Sequence, residues 1–108
     1  MRITTKNKAL EDLLCRGETD VKRYKKLSQT VISGFLRACE TFKREKTIEG
    51  LLQYGGLHYK RLKGDLKDFE SVRCDKRFRL IFKSSNIEDE IELVEIELIE
   101  ITDHYAKI

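Results

Sequence analysis

The chain has 108 residues, 40% apolar and 38% charged, with a formal net charge of +3, which fits one domain with a core beneath a heavily charged surface. No apolar run approaches the roughly 20 residues of a membrane span and no signal peptide opens the chain, so a cytoplasmic protein without a membrane partner is predicted. Three widely spaced cysteines exclude a disulfide framework and a zinc site, and each is predicted to be a small buried residue: Cys15, Cys39 and Cys74.

A short strand and a helix are predicted at the start of the chain. Arg2 to Thr5 alternates weakly between polar and apolar residues, which favours an edge strand. Asn7 is a suitable N-cap for a helix through about Arg16, and Gly17 is placed to end it. The apolar side of this helix has the i, i+3, i+4 pattern: Leu10, Leu13 and Leu14.

The most secure helix begins after Ser28, a good N-cap residue. Its broad apolar stripe should pack on a sheet: Val31, Ile32, Phe35, Leu36, Cys39 and Phe42. Gly34 in its interior should weaken it by roughly 1 kcal/mol relative to Ala. Thr47 to Gln53 predicts one further helical turn, capped by Thr47, whose apolar residues face inward: Ile48, Leu51 and Leu52.

Strands are predicted after the break at Gly55-Gly56. They are Leu57 to Lys63, the arms of a hairpin within Glu70 to Phe82, and Ile91 to Ile101. Gly64-Asp65 is predicted as a turn and Ser84 to Asn86 as a loop. The last strand is rich in β-branched residues, and the changing phase of its apolar positions predicts bulges. Helices followed by strands give the fold class α+β, with a small antiparallel sheet packed against N-terminal helices.

The hairpin separates two kinds of side chain around a polar turn at Asp75-Lys76. Apolar or nearly apolar residues occupy alternate positions: Val72, Cys74, Phe78, Leu80 and Phe82. The intervening positions place three arginines on the opposite face: Arg73, Arg77 and Arg79. Such a face could bind an anion, or its arginines could pair with surface carboxylates.

Charge is distributed unevenly along the chain. Lys22 to Lys46 has eight Lys or Arg against two Glu, and Lys60 to Lys83 has nine against four acidic residues. Ser84 to Ala106 has no Lys or Arg and eight acidic residues. The polarised surface predicts a basic region that could meet nucleic acid, while the acidic strand from Glu88 to Glu100 has no assigned role.

This order of elements and motifs resembles the RelE/ParE toxin superfamily, most closely its HigB-like branch. The resemblance rests on Leu62 to Asp65, Ser71 to Arg73, Arg77 to Phe82 and Asp103 to Tyr105, and it covers most of the chain. It implies a single toxin domain over residues 1–108, a type II toxin–antitoxin module, a HigA-like helix-turn-helix antitoxin and metal-independent, cofactor-free cleavage of mRNA in the ribosomal A site.

The resemblance also implies site residues. The predicted catalytic residues are Arg79, His104, Tyr105, Lys63 and Arg73, and the predicted RNA-binding residues are Lys60, Arg61, Lys76 and Arg77. Of these, the resemblance itself supplies Lys63, Arg79, His104 and Tyr105, whereas the others are predicted from the positions and charges of the residues. Lys63 matches a functional lysine, and Arg79 matches the arginine that faces the scissile phosphate. Asp103-His104-Tyr105 matches an Asp-Tyr-His sequence in that branch, with the aromatic residue and the imidazole exchanged.

The residue types suit RNA cleavage, since RNA supplies its own 2′-hydroxyl nucleophile. Arg73 and Arg79 could stabilise the charge on the phosphorane. His104 could transfer a proton near neutral pH, with Lys63 or Tyr105 as alternatives. Two other functions stay open: a ParE-like protein that inhibits DNA gyrase, and an RNA-binding module without catalysis.

Overall fold

A computed structural model of the chain describes residues 1–88 and 93–104. The strands are β1 (Arg2–Thr5), β2 (Lys60–Arg61), β3 (Glu70–Arg73), β4 (Arg79–Glu88) and β5 (Leu93–Thr102). The α-helices are α1 (Lys8–Arg16), α2 (Lys22–Lys25) and α3 (Gln29–Arg44). Short 3-10 turns span Glu49–Gln53, Gly55–Leu57 and Gly64–Leu66. No helix in residues 1–88 and 93–104 has the length and apolar character needed to cross a membrane.

The five strands form one sheet in the order β1-β5-β4-β3-β2. The α+β class is confirmed, but the sheet is mixed, not antiparallel, because β1 pairs with β5 in parallel, with Arg2 opposite Glu95. A parallel neighbour needs a long connection. Here nearly the whole chain lies between the two strands, a pairing that local sequence patterns do not reveal.

The two long helices begin and end close to their predicted limits. The Asn7 side chain accepts hydrogen bonds from the N–H groups of Ala9 and Leu10, and Gly17 ends α1 with a φ of 75°. Asn7 Nδ2 also donates to the carbonyl of Ile99 at 3.0 Å, which ties the start of α1 to β5. The predicted caps of both helices are confirmed, since Ser28 Oγ accepts from the third residue of α3.

The core lies between α1, α3 and one face of the sheet. Its largest fully buried apolar side chains are Phe35, Phe42, Phe82, Leu10, Leu13, Leu51, Leu80, Ile96 and Leu98. Two burial predictions are wrong, because Cys15 is exposed and Leu52 is 65% exposed. A 3-10 helix has three residues per turn, so burial of Leu51 directs its neighbour away from the core.

The other two cysteines are buried as predicted. Burial raises the pKa of the thiols of Cys39 and Cys74 to about 12. Both therefore stay protonated near neutral pH and behave as small core residues.

The hairpin is confirmed, but its connection is longer than the predicted two-residue turn. Strand pairing ends at Arg73 opposite Arg79, which leaves five residues in the loop. Asp75 Oδ1 accepts hydrogen bonds from the N–H groups of Arg77 and Phe78 and so closes this loop. The predicted loop at Ser84 to Asn86 is wrong, because these residues continue β4 in register with β5.

The predicted bulge in the last strand is present. Ile81 pairs with Glu100 and Phe82 pairs with Leu98, so Ile99 is the extra residue on β5. This insertion explains the changing phase of the apolar positions. The predicted start of the strand at Ile91 lies outside the described residues.

The predicted strand from Leu57 to Lys63 is reduced to two residues. A 3-10 turn occupies its start, and His58 has a φ of 45°, which interrupts extended backbone before Lys60. The predicted turn at Gly64-Asp65 is present as another 3-10 turn.

Candidate functional site

Arg73 and Arg79 lie directly opposite each other at the loop end of the hairpin. Thr102, the last residue of β5, pairs with Arg79 on its other side. Residues opposite each other in a sheet share a face, and these three alternate with the buried core residues Val72 and Leu80. The prediction that Arg73 and Arg79 share a face is confirmed, and the sheet brings both to the end of β5.

Arg79 is almost completely buried, with 4% of its surface exposed. Its Nε donates a hydrogen bond to Ser71 Oγ at 2.9 Å, and its Nη2 donates to the carbonyl oxygen of His58. These acceptors hold the guanidinium in a fixed orientation. The arginine face predicted from the sequence is therefore covered at Arg79, where the His58 backbone lies against it.

The two other arginines that the sequence assigned to this face are more accessible, although Arg77 lies in the hairpin loop and not in a strand. Arg73 is half-buried and makes no ion pair within the described part of the chain. Arg77 is exposed in the hairpin loop, and its Nη2 lies 3.2 Å from Asp103 Oδ2. The protein thus partly balances the charge of Arg77, which leaves Arg73 better able to meet an external anion.

His104 follows the last residue of β5, at the end of the sheet where Arg79 lies. Its backbone N–H donates to Thr102 Oγ1 at 3.0 Å, and its Nε2 lies 3.2 Å from Asp103 Oδ1. The imidazole is 70% exposed and borders a pocket of about 200 Å³ that Phe78 also lines. An exposed imidazole beside a carboxylate can exchange protons with a ligand. Tyr105, its predicted alternative, lies outside the described residues.

The predicted RNA-binding residues of β2 point to different faces. Lys60 pairs with Ser71 and shares the face of Arg79, whereas Arg61 pairs with Glu70 and lies on the other face. Lys60 and Arg61 are both exposed. Only Lys60 therefore extends the arginine face.

Lys63 lies away from the arginine pair. The N–H of Leu62 donates to the carbonyl of Phe69 at 3.0 Å, so Lys63 comes one position later in this ladder. That position lies beyond Glu70, the first residue of β3, and five positions from Arg73, which corresponds to about 16 Å at the usual rise per strand residue. The sheet does not bring the Lys63 backbone to the two arginines.

A groove of about 570 Å³ that the sequence did not reveal lies between α3, the turn at Tyr54 to Leu57 and the hairpin loop. Residues from all three segments line it, including Arg37, Tyr54, Gly56, Leu57, Arg73 and Lys76. Thr30, Gly34, Arg37 and Thr41 form the α3 wall. These residues are spaced four, three and four positions apart, so they share one face of α3 beside the core stripe. This spacing is the sequence signal that could have indicated the groove.

A buried carboxylate was also missed. Glu70 is 2% exposed, and its two oxygens accept hydrogen bonds of 2.6 Å from the hydroxyls of Tyr59 and Ser84. It borders a separate pocket of about 360 Å³ with Arg61. Within residues 1–88 and 93–104, no three His, Cys, Asp or Glu side chains are arranged to hold a metal ion.

Comparison with known proteins shows the fold at low sequence identity. A YoeB/ParE toxin from Agrobacterium tumefaciens matches with a TM-score of 0.58 and 16% identity, over 94% of this chain and 96% of that chain. A chain of a YoeB-YefM complex from Staphylococcus aureus matches with a TM-score of 0.55 and 19% identity, over 94% of each chain. No protein-family model and no curated protein sequence matches significantly. The RelE/ParE-like toxin fold is thus confirmed, while the HigB-like branch stays a prediction.

Proposed function

We propose that this chain, whose fold is that of the solved YoeB/ParE toxin, is the toxin of a type II toxin–antitoxin module and cleaves mRNA on the ribosome. The observation that carries the proposal is that β5 ends beside the Arg73–Arg79 pair, with Thr102 opposite Arg79 and His104 two residues further along the chain. Fixed cations beside an exposed imidazole are the groups that metal-independent RNA cleavage needs.

In this proposal Arg73 is the first guanidinium to meet the scissile phosphate, because it is half-buried and has no ion pair within the described residues. Arg79 is held by Ser71 and His58 and supplies a fixed positive charge behind it. Such a charge stabilises the phosphorane without reorganisation, for a factor of about 10²–10³ per donor.

His104 would transfer the proton between the RNA and solvent. The 2′-hydroxyl must lose a proton as it attacks phosphorus, and the departing 5′-oxygen must gain one. A well-placed side chain contributes about 10²–10⁴-fold to such transfers. Asp103, with Oδ1 3.2 Å from Nε2 of His104, would orient the ring.

The proposed partners are the ribosome, mRNA and a cognate antitoxin of the helix-turn-helix, HigA-like kind, in the cytoplasm. A protein partner is supported by the structural likeness to a chain of the YoeB-YefM complex. Lys60 and Lys76 are exposed and would contact RNA phosphates without reading sequence.

The test is induced expression in a bacterial host, followed by primer extension on a reporter mRNA. Growth arrest with cuts inside translated codons is the expected result. Growth arrest with intact mRNA and DNA damage would contradict the proposal and favour a gyrase inhibitor. RNA binding without cleavage or arrest would contradict it in favour of a binding module.

His104→Asn and His58→Asn form a matched pair of variants, since both imidazoles are exposed. His104→Asn should reduce cleavage by at least about 10²-fold, because it removes the proton carrier. His58→Asn should cleave like the parent, and Asn tolerates the positive φ at that position. Parental cleavage by a folded His104→Asn variant would show that another residue moves the proton.

A further inference from the structure

Three basic side chains border the groove between α3 and the hairpin loop: Arg37, Arg73 and Lys76. None of them makes an ion pair within residues 1–88 and 93–104. Three other arginines are each held by a carboxylate of β5 or the residue after it: Arg2, Arg23 and Arg77. Nearby carboxylates therefore neutralise Arg2, Arg23 and Arg77, whereas the three cations of the groove keep their positive charge.

Asp75 also borders the groove, but its Oδ1 is already engaged by two backbone N–H groups at 2.8 and 2.7 Å. This carboxylate closes the hairpin loop and so fixes the backbone around the neighbouring Lys76. Three cations and one engaged carboxylate leave the groove with a net positive charge, which suits an anionic ligand.

Tyr54 gives the groove an aromatic wall. Its hydroxyl donates to Glu45 Oε2 at 2.8 Å, and Arg44 Cζ lies 5.8 Å from its ring centroid. Both contacts hold the ring in place before any ligand arrives. Leu57 and Gly34 are buried and form apolar parts of the groove lining. A flat, partly apolar ligand could pack here.

We propose that this groove binds one nucleotide of single-stranded RNA, with its phosphate near Arg37, Arg73 and Lys76 and its base against Tyr54. The choice of RNA rests on the proposed function, whereas the need for an anion and a flat base rests on the groove itself. The volume of about 570 Å³ lies within the range of about 300–1,000 Å³ that small-ligand sites occupy. The substrate would then extend from the Arg73–Arg79 pair towards α3.

The first test is an NMR titration of the isotopically labelled full chain with AMP, adenosine and inorganic phosphate. AMP should shift the amide signals of Gly34, Gly56 and Cys74, which border the groove, in a saturable manner. Adenosine should bind at least about tenfold more weakly, because it lacks charge-assisted contacts to the cations. Equal binding of AMP and adenosine, shifts confined to other regions, or no saturation by about 10 mM AMP would each overturn the proposal.

The second test uses variants of groove residues. Arg37→Ala and Lys76→Ala should each weaken AMP binding by at least about tenfold, the value of one charge-assisted hydrogen bond. Arg16→Ala is the control, since Arg16 is an exposed helical arginine on α1 that does not border the groove. Unchanged AMP affinity in both groove variants would overturn the assignment of the phosphate site.

The groove site and the nuclease can fail separately. A chain that binds AMP here but leaves mRNA intact would contradict the proposed function and the choice of RNA as the ligand. Cleaved mRNA without AMP binding in the groove would overturn the groove site and leave the proposed nuclease standing.

Discussion

Glu70 shows how one buried carboxylate can be accommodated on the face of the sheet that packs against the core. A carboxylate at 2% exposure is costly unless hydrogen bonds replace its water. The hydroxyls of Tyr59 and Ser84 each donate to a different oxygen at 2.6 Å. Burial, reinforced by the hydrogen bond to Glu70, raises the pKa of Tyr59.

The raised pKa of Tyr59 predicts a loss of stability in alkali. Above about pH 10 the phenol of the unfolded chain loses its proton while the folded chain keeps it, so the free energy of unfolding falls as pH rises. Tyr59→Phe should show a smaller fall. At pH 7 the same variant should be less stable by about 1–3 kcal/mol, because Glu70 loses a donor. Urea unfolding at pH 7 and about pH 10.5 measures both effects, and equal alkaline losses would contradict this account.

The accessibility of single residues was the hardest feature to predict. Alternation along the hairpin correctly assigned Arg73 and Arg79 to one face. It could not show that the carbonyl of His58 would cover Arg79, because that contact depends on a left-handed residue far away in sequence. The burial of Glu70 could not be predicted for the same reason, since the hydroxyls that donate hydrogen bonds to it come from two other segments of the chain.

At the scale of elements, α3 approaches the hairpin loop unusually closely. A Cβ atom at Gly34 would lie 1.9 Å from the carbonyl oxygen of Cys74. The glycine lowers intrinsic helix stability by roughly 1 kcal/mol relative to Ala, as the sequence indicated. Its benefit is the close contact between helix and loop, which forms one wall of the groove.

Gly34→Ala should therefore destabilise the protein despite the better helix propensity of Ala. Overpacking against a backbone carbonyl costs about 1–3 kcal/mol, more than the roughly 1 kcal/mol gained in the helix. Ser33→Ala is the control, because it raises propensity at the neighbouring position without this contact. Thermal and urea unfolding of both variants would measure the difference, and an increase in stability for Gly34→Ala would show that the loop can move away.

Elements with strong local signals were predictable. Capping side chains and apolar periodicity located α1 and α3, and the phase change in β5 located its bulge. Shorter elements depended on contacts the sequence does not display. The strand β2 has only two residues, and Ser84 to Asn86 are extended because β5 pairs with them.

At the scale of the whole molecule, the acidic strand balances part of the basic surface. Arg2 pairs with Glu95 and Arg23 pairs with Glu100, at 3.2 and 2.9 Å. Exposed pairs of this kind contribute only about 0–1 kcal/mol to stability. Their larger effect is on charge, because they neutralise two arginines while the groove cations have no ion pair within the described residues. Uneven charge was visible in the sequence, but the pairs depend on the fold.

Under the proposed function, Glu100→Gln should strengthen RNA binding by releasing Arg23, which borders the same pocket as His104. One additional phosphate contact should steepen the dependence of log affinity on log salt by about 0.7 for single-stranded RNA. Glu11→Gln changes net charge equally but releases no arginine, since Glu11 is exposed and has no ion pair within the described residues, so its slope should match that of the parent. Fluorescence anisotropy of a 2′-O-methyl RNA oligonucleotide at several salt concentrations avoids cleavage during the measurement. Identical slopes for the two variants would mean that net charge alone governs binding, and the pairing of Arg23 with β5 would then have no role in RNA recognition.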